Sequence, residues 1–165
     1  MKVAATLTVN GAAYPVELHP HTSLLAAVRD AIGLTGSKEG CDDSECGACM
    51  MLLDGEPVNS CSYLALQAEG REITTVEGLA PPGQLSKLQR AFLDHGGVQC
   101  GFCTPGMLIS ATALISRTTA PTEDEVRTAL AGNLCRCTGY ETIVNAVLDA
   151  AGSDGQAAAA DLRPG

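Results

Sequence analysis

Gly40-Cys41-Asp42-Asp43-Ser44-Glu45-Cys46-Gly47-Ala48-Cys49 is the stretch on which the reading of this chain turns. It places three cysteines in one short loop that is poor in large apolar side chains, and Cys61 completes a C-x4-C-x2-C-x11-C set. A loop of this composition has no core of its own to bury, so it must wrap around something else. A second set, Cys100, Cys103, Cys135 and Cys137, uses up the remaining thiols, so that all eight cysteines of the chain fall into two groups of four.

A disulfide framework would need an oxidising compartment. Met1 and Lys2 lead directly into an alternating strand pattern, without the apolar run of a signal peptide or a twin arginine. The close pairs Cys46/Cys49, Cys100/Cys103 and Cys135/Cys137 are awkward as disulfides but converge readily on a metal centre. The spacing of the first set is that of plant-type [2Fe–2S] sites. Gly40 and Gly47 let the backbone approach inorganic sulfide with no Cβ in the way. Structural zinc also takes four thiolates, but usually from two separated CxxC knuckles, and only Cys46/Cys49 is one here.

Around this loop the chain reads as a small mixed domain. Val3, Ala5, Leu7 and Val9 alternate, Asn10-Gly11 is a hairpin turn, and Tyr14, Val16 and Leu18 resume the alternation. A helix capped by Thr22 or Ser23 presents Leu24, Leu25, Val28 and Ile32 and stops at Gly33. Met50–Leu53, Asp54-Gly55 and Glu56–Asn59 form a second hairpin, and Arg71–Thr75 a last short strand. Pro81-Pro82-Gly83 marks the boundary, which divides the chain into a first domain over 1–79 and a second over 80–150.

Beyond it the pattern is helical. One helix carries Leu85, Leu88, Phe92 and Leu93. A second is opened by Thr104 with Pro105 and runs through Met107, Leu108, Ala111 and Leu114 to Ile115. Thr122 and Glu125 make a capping box for a third, and Ile143, Val144, Val147 and Leu148 mark a fourth. Residues 151–165 read as a flexible tail. Both cysteine pairs of the second set sit just before a helix start, where the N-terminal dipole stabilises an anionic cluster. A redox dithiol at Cys100/Cys103 would lack the βαβ pattern that such motifs follow, and would leave Cys135 and Cys137 unexplained.

Gly40-Cys41, Cys46-Gly47-Ala48-Cys49, Gln99 to Met107 and Gly132 to Tyr140 together resemble the small iron–sulfur subunit of the molybdenum hydroxylases, the xanthine oxidase and carbon monoxide dehydrogenase family. The resemblance implies an α+β chain: a plant-ferredoxin-like β-grasp domain, then an all-α four-helix domain, with one [2Fe–2S] cluster in each. It further implies a large subunit bearing molybdopterin with its molybdenum and a medium subunit bearing FAD, an assembly compatible with a dimer of heterotrimers. It places Gln99 and Cys137 beside the pterin, and puts Cys41, Cys46, Cys49, Cys61, Cys100, Cys103, Cys135 and Cys137 on iron. Two places depart from the family pattern. Ser44 stands where glycine is common, either restricting the backbone or adding a hydroxyl donor, and Met50-Met51 replaces a threonine–valine pair.

The formal net charge of −9 and the absence of a basic stripe disfavour nucleic acid, and no apolar run approaches a membrane span. His19, His21 and His95 are not needed as ligands, because cysteine fills every place. No nucleotide-binding glycine fingerprint and no substrate pocket are expected. The implied role is electron transfer in the cytoplasm, with bond-making left to a partner.

Overall fold

In a computed structural model that describes residues 1–152, five strands, with a first helix between the second and the third, precede four further helices in the order anticipated. Strands β1 (Val3–Val9) and β2 (Ala12–Leu18) pair antiparallel around Asn10-Gly11. Both turn residues have positive φ, 52° and 76°, the geometry whose twist matches the flanking strands. β3 (Met50–Leu53) and β4 (Glu56–Asn59) repeat the device around Asp54-Gly55. β5 (Glu72–Thr74) lies between the hairpins, parallel to β1 and antiparallel to β3, which gives the order β2-β1-β5-β3-β4. Pro15 and Pro57 fall on the two edge strands, where a missing N–H costs no ladder bond.

Helix α1 (Leu24–Ala26) is capped by Ser23, whose side chain accepts from the Ala26 N–H. It continues as a π-helical segment over Ala27–Ile32 and ends at Gly33, φ 90°. The widened turn was not readable from apolar spacing, which is nearly the same for both helix types. Leu24, Leu25 and Val28 pack with Leu7, Val9, Met51, Leu53 and Ile73 to form the first core. Arg29 Nη1 then holds the carbonyls of Thr35 (2.8 Å) and Ser37 (2.6 Å), fixing the entry to the cysteine loop.

Asn10 has a second duty. Its side chain donates to Thr75 Oγ1 and accepts from Thr75 N, both at 2.9 Å, and Thr75 is fully buried. The Thr75 hydroxyl donates to Glu77, whose other oxygen accepts from the Gly36 N–H. The turn, the exit of β5 and the approach to the cysteine loop are thus tied at one point.

The second core is built by α2 (Lys87–Asp94), α3 (Thr104–Arg117), α4 (Glu123–Ala129) and α5 (Glu141–Gly152). Leu88, Phe92, Met107, Ala111, Val126, Ile143 and Val147 pack together. The Thr122/Glu125 capping box is present, and a second one, Ser86 with Gln89, starts α2. Three details differ from expectation. Leu85 and Leu93 are exposed at 45% and 51%, and Leu88, Ala91 and Phe92 form the inward stripe instead. Thr104 is the first residue of α3 rather than its cap, a position taken by Cys103. Helix α5 runs through Ala151, which is buried, and Gly152, two residues into the stretch assigned to the tail; the rest of that stretch lies outside the described residues. α3 also packs on the sheet, where Ile109 and Ala113 meet Leu52.

Asn10→Gly keeps the left-handed turn but removes both bonds that Asn10 makes to Thr75 and leaves the buried Thr75 N–H without its acceptor, so urea denaturation should show a loss of about 1–3 kcal/mol. Asp54 accepts from Arg71 Nε and from the Glu72 N–H, and these bonds hold its carboxyl below the ordinary value of 3.8. Its contribution is complete above that ordinary value and disappears as pH falls through the depressed folded one. Asp54→Asn should therefore lower the urea midpoint at neutral pH and cease to matter in strong acid.

Candidate metal centres

All eight cysteines are free thiols, and they come together as two sets. In the first, the loop between α1 and β3 curls so that the Cys46 N–H points at Cys41 Sγ at 3.4 Å. A Cβ at Gly40 would lie 2.8 Å from Cys46 Sγ, so only glycine leaves room there. Cys49 and Cys61 are buried side by side, Cys61 arriving from the end of β4. Ser60, fully buried, anchors that arrival by donating to the Cys49 carbonyl at 2.6 Å.

In the second set, Cys100 and Cys137 bring their sulfurs to 3.5 Å, and Cys103 faces Cys135. Cys100 and Cys137 are exposed while Cys103 is buried at the start of α3. Thr138 supplies two groups to Cys135 Sγ, its N–H at 3.5 Å and its hydroxyl at 3.1 Å. Because the Tyr140 N–H donates to that same hydroxyl oxygen, the threonine hydrogen is free to point at sulfur. The Tyr140 phenol oxygen accepts from the Cys135 N–H at 2.9 Å, and Tyr140 itself is held at φ 71°, an unusual conformation for a bulky residue.

The thiols thus pair by twos, Cys41 with Cys46, Cys49 with Cys61, Cys100 with Cys137 and Cys103 with Cys135. Among the described residues no three or more ligand side chains are grouped as a single ion would need. Two thiolates for each of two irons is the demand of a binuclear cluster, and both sets fit it. Two buried hydroxyl oxygens, Thr104 Oγ1 and Thr142 Oγ1, at the starts of α3 and α5, have no partner in the protein. Such orphans suit a neighbouring acceptor that the protein does not itself supply.

Burial pushes the Cys49 thiol up to about 11 and Cys103 up to about 12, with neighbouring cysteines adding to both shifts. Burial also works against ionisation at Cys135, but the Thr138 hydroxyl and N–H outweigh it and the net direction is downward. Metal loading must displace protons from the first two.

The two sets are joined. The Leu134 N–H donates to the Cys46 carbonyl at 2.9 Å, directly linking the cysteine loop of one domain to that of the other. Beside it, buried Asn133 donates to the Gly47 carbonyl at 3.1 Å and accepts from Ser110 Oγ at 2.7 Å. The backbones meet without side chains between them: a Cβ at Gly47 would lie 2.2 Å from Gly132 O, and one at Gly106 would lie 2.1 Å from Gly47 O.

Residues 7–80 match the 2Fe-2S iron-sulfur cluster binding domain and residues 75–148 the [2Fe-2S] binding domain. The nicotine 6-hydroxylase small subunit of Paenarthrobacter nicotinovorans is 51% identical over 154 residues, 93% of each chain. The nicotinate dehydrogenase small FeS subunit of Eubacterium barkeri is 47% identical over 146 residues, 88% of this chain and 93% of its own. In quinoline 2-oxidoreductase from Pseudomonas putida 86, a chain 46% identical superposes with a TM-score of 0.90, covering 93% of this chain and 96% of that one. The protein belongs to the small [2Fe–2S] subunits of the molybdenum hydroxylases.

For this small subunit, the structure places Gln99 at the surface next to exposed Cys100, and Cys137 is likewise exposed. Phe102 and Leu134 add exposed apolar area, at 47% and 58%, to the same ligand loops. His95 is engaged with Asp149 at 3.1 Å, and His19 and His21 stack on each other. Asn133, Thr138, Tyr140 and Ser60 were not assigned roles from the sequence. A polar residue within three positions of a cysteine ligand was the one signal available for them. Among the described residues no helix is long and apolar enough to cross a membrane.

Gly106→Ala tests the seam. The added methyl must displace the Gly47 carbonyl, so thermal stability should drop by about 1–3 kcal/mol and iron content of the purified chain should fall with it.

Proposed function

We propose that this small subunit carries electrons within a molybdenum-containing hydroxylase, from a molybdopterin centre in a large partner subunit, through one [2Fe–2S] cluster in each of its domains, to FAD in a medium subunit. The observation that carries the proposal is the hydrogen bond from Leu134 N–H to the Cys46 carbonyl, which joins the two ligand loops. When bound, such clusters supply one-electron storage. In this reading Cys41, Cys46, Cys49 and Cys61 ligate the cluster of the domain over 1–79, and Cys100, Cys103, Cys135 and Cys137 that of the domain over 80–150.

The difference in exposure between the two sites supports this direction of transfer. Cys100, Cys137, Phe102 and Leu134 are exposed, which suits contact with a partner that buries them and excludes water from the second site. Gln99 offers an amide on that face that can hydrogen-bond a pterin edge, next to Cys137 as the point of electron entry. Cys49 and Cys61 are buried in the first core, so the first site is insulated on that side and passes its electron on through the half-buried rim at Cys41. Eight free thiols fit a reducing compartment such as the cytoplasm. Substrate chemistry belongs to the partner subunit.

Purification from the native source without air should yield a complex that contains molybdenum, a pterin-bearing large chain and a flavin-bearing chain. The small subunit should carry about four iron atoms and equal labile sulfide, with two one-electron signals on reduction. Migration of the native chain alone, or zinc in place of iron, would overturn the proposal.

A further inference from the structure

Among the described residues five non-glycine side chains sit at positive φ, and two of them, Asn10 and Asp54, are explained by hairpin turns. Ser44, at φ 67°, lies in the first cysteine loop. For an L-residue this conformation costs roughly 1–2 kcal/mol, which glycine avoids. The same loop uses glycine at Gly40 and Gly47, where close approach requires it. At Ser44 a side chain is kept despite the strain, and its contacts say what it does.

The Asn59 amide donates to the Ser44 carbonyl at 3.1 Å and pins the inverted peptide. The Ser44 hydroxyl donates to Ser62 Oγ at 2.5 Å. Ser62 Oγ lies 3.6 Å from Cys61 Sγ. Since the Ser62 oxygen is already an acceptor from Ser44, its own hydrogen is left to turn toward sulfur. Both serines are reached by solvent, so a fixed hydroxyl here replaces a donor that water would provide less directionally.

We infer that Ser44 is a positioning residue for the first cluster: strained backbone and Asn59 aim its hydroxyl at Ser62, which in turn directs a hydrogen bond to the Cys61 sulfur and raises that centre's reduction potential. The inference rests on the proposed assignment of Cys41, Cys46, Cys49 and Cys61 to one cluster. A donor to a ligand sulfur stabilises the form with the extra electron, so the sign is fixed. The second set, with its own donors at Thr138, is untouched by this relay and serves as an internal reference.

The test is a redox titration followed by electron paramagnetic resonance on the full chain in its native complex, comparing wild type with Ser44→Gly, Ser44→Ala and Ser62→Ala. The signal altered by Cys41→Ser identifies the first cluster. Ser44→Gly relieves the strain and removes the hydroxyl; Ser44→Ala keeps the strain and removes the hydroxyl. At a fixed potential all three serine variants should lower the reduced-to-oxidised ratio of the first cluster by up to about tenfold, about 59 mV for a one-electron couple. Iron content and the second signal should not change. Unmoved potentials with full iron, an upward shift, or equal shifts of both signals would overturn the inference while leaving the proposed function standing. A wild-type complex without two one-electron clusters would instead defeat the proposed function and this inference with it.

Discussion

The seam where Gly47, Gly106, Gly132 and Asn133 meet is the contact on which the rest of this molecule depends, because it brings two independently cored domains together at their cysteine loops. Backbone carbonyls and N–H groups buried there must be paired, since an unpaired one costs about 1–3 kcal/mol. Asn133 supplies one donor and Leu134 another, each directed at a carbonyl of the Cys46-Gly47 turn. Side chains would keep the loops apart, and glycine on both sides is what permits the approach. α3 strengthens the seam from behind, resting Ile109 and Ala113 on Leu52 of the sheet.

Electron transfer falls steeply with separation, so a two-centre carrier must hold its centres close while keeping each insulated. The two cores supply the insulation and the seam supplies the proximity. The polar groups around the sulfurs, among them Thr138, Tyr140, Ser62 and Ser44, sit in short turns whose backbone is unusual: Ser44, Asp42 and Tyr140 all have positive φ. Strain gathered at the cysteine loops and absent from the helices is the pattern expected where geometry serves the site rather than the fold.

Much of the architecture was legible because the local signals are strong. Asn10-Gly11 and Asp54-Gly55 specify hairpins through their positive φ, Thr122 with Glu125 specifies a helix start, and the cysteine spacing specifies two sets of four thiols. Where reading failed, packing had overridden pattern. Leu85 and Leu93 look like core residues by spacing, but α5 covers the Leu88/Phe92 face and leaves them outside. Thr104 has the identity of a cap, yet the chain enters α3 already helical at Cys103. The π-helical turn of Ala27–Ile32 has no apolar period of its own.

The amino-acid order alone determined that there are two cysteine sets and two domains of different class, because cysteine spacing and local backbone preferences are properties of neighbours in sequence. Only the tertiary structure decided which groups complete each site and how the sites meet. Asn133 reaches Gly47 across 86 positions, and Asn10 reaches Thr75 across 65. Pairings over such distances depend on how two cores close against each other, a balance of burial and hydrogen-bond satisfaction summed over the whole chain.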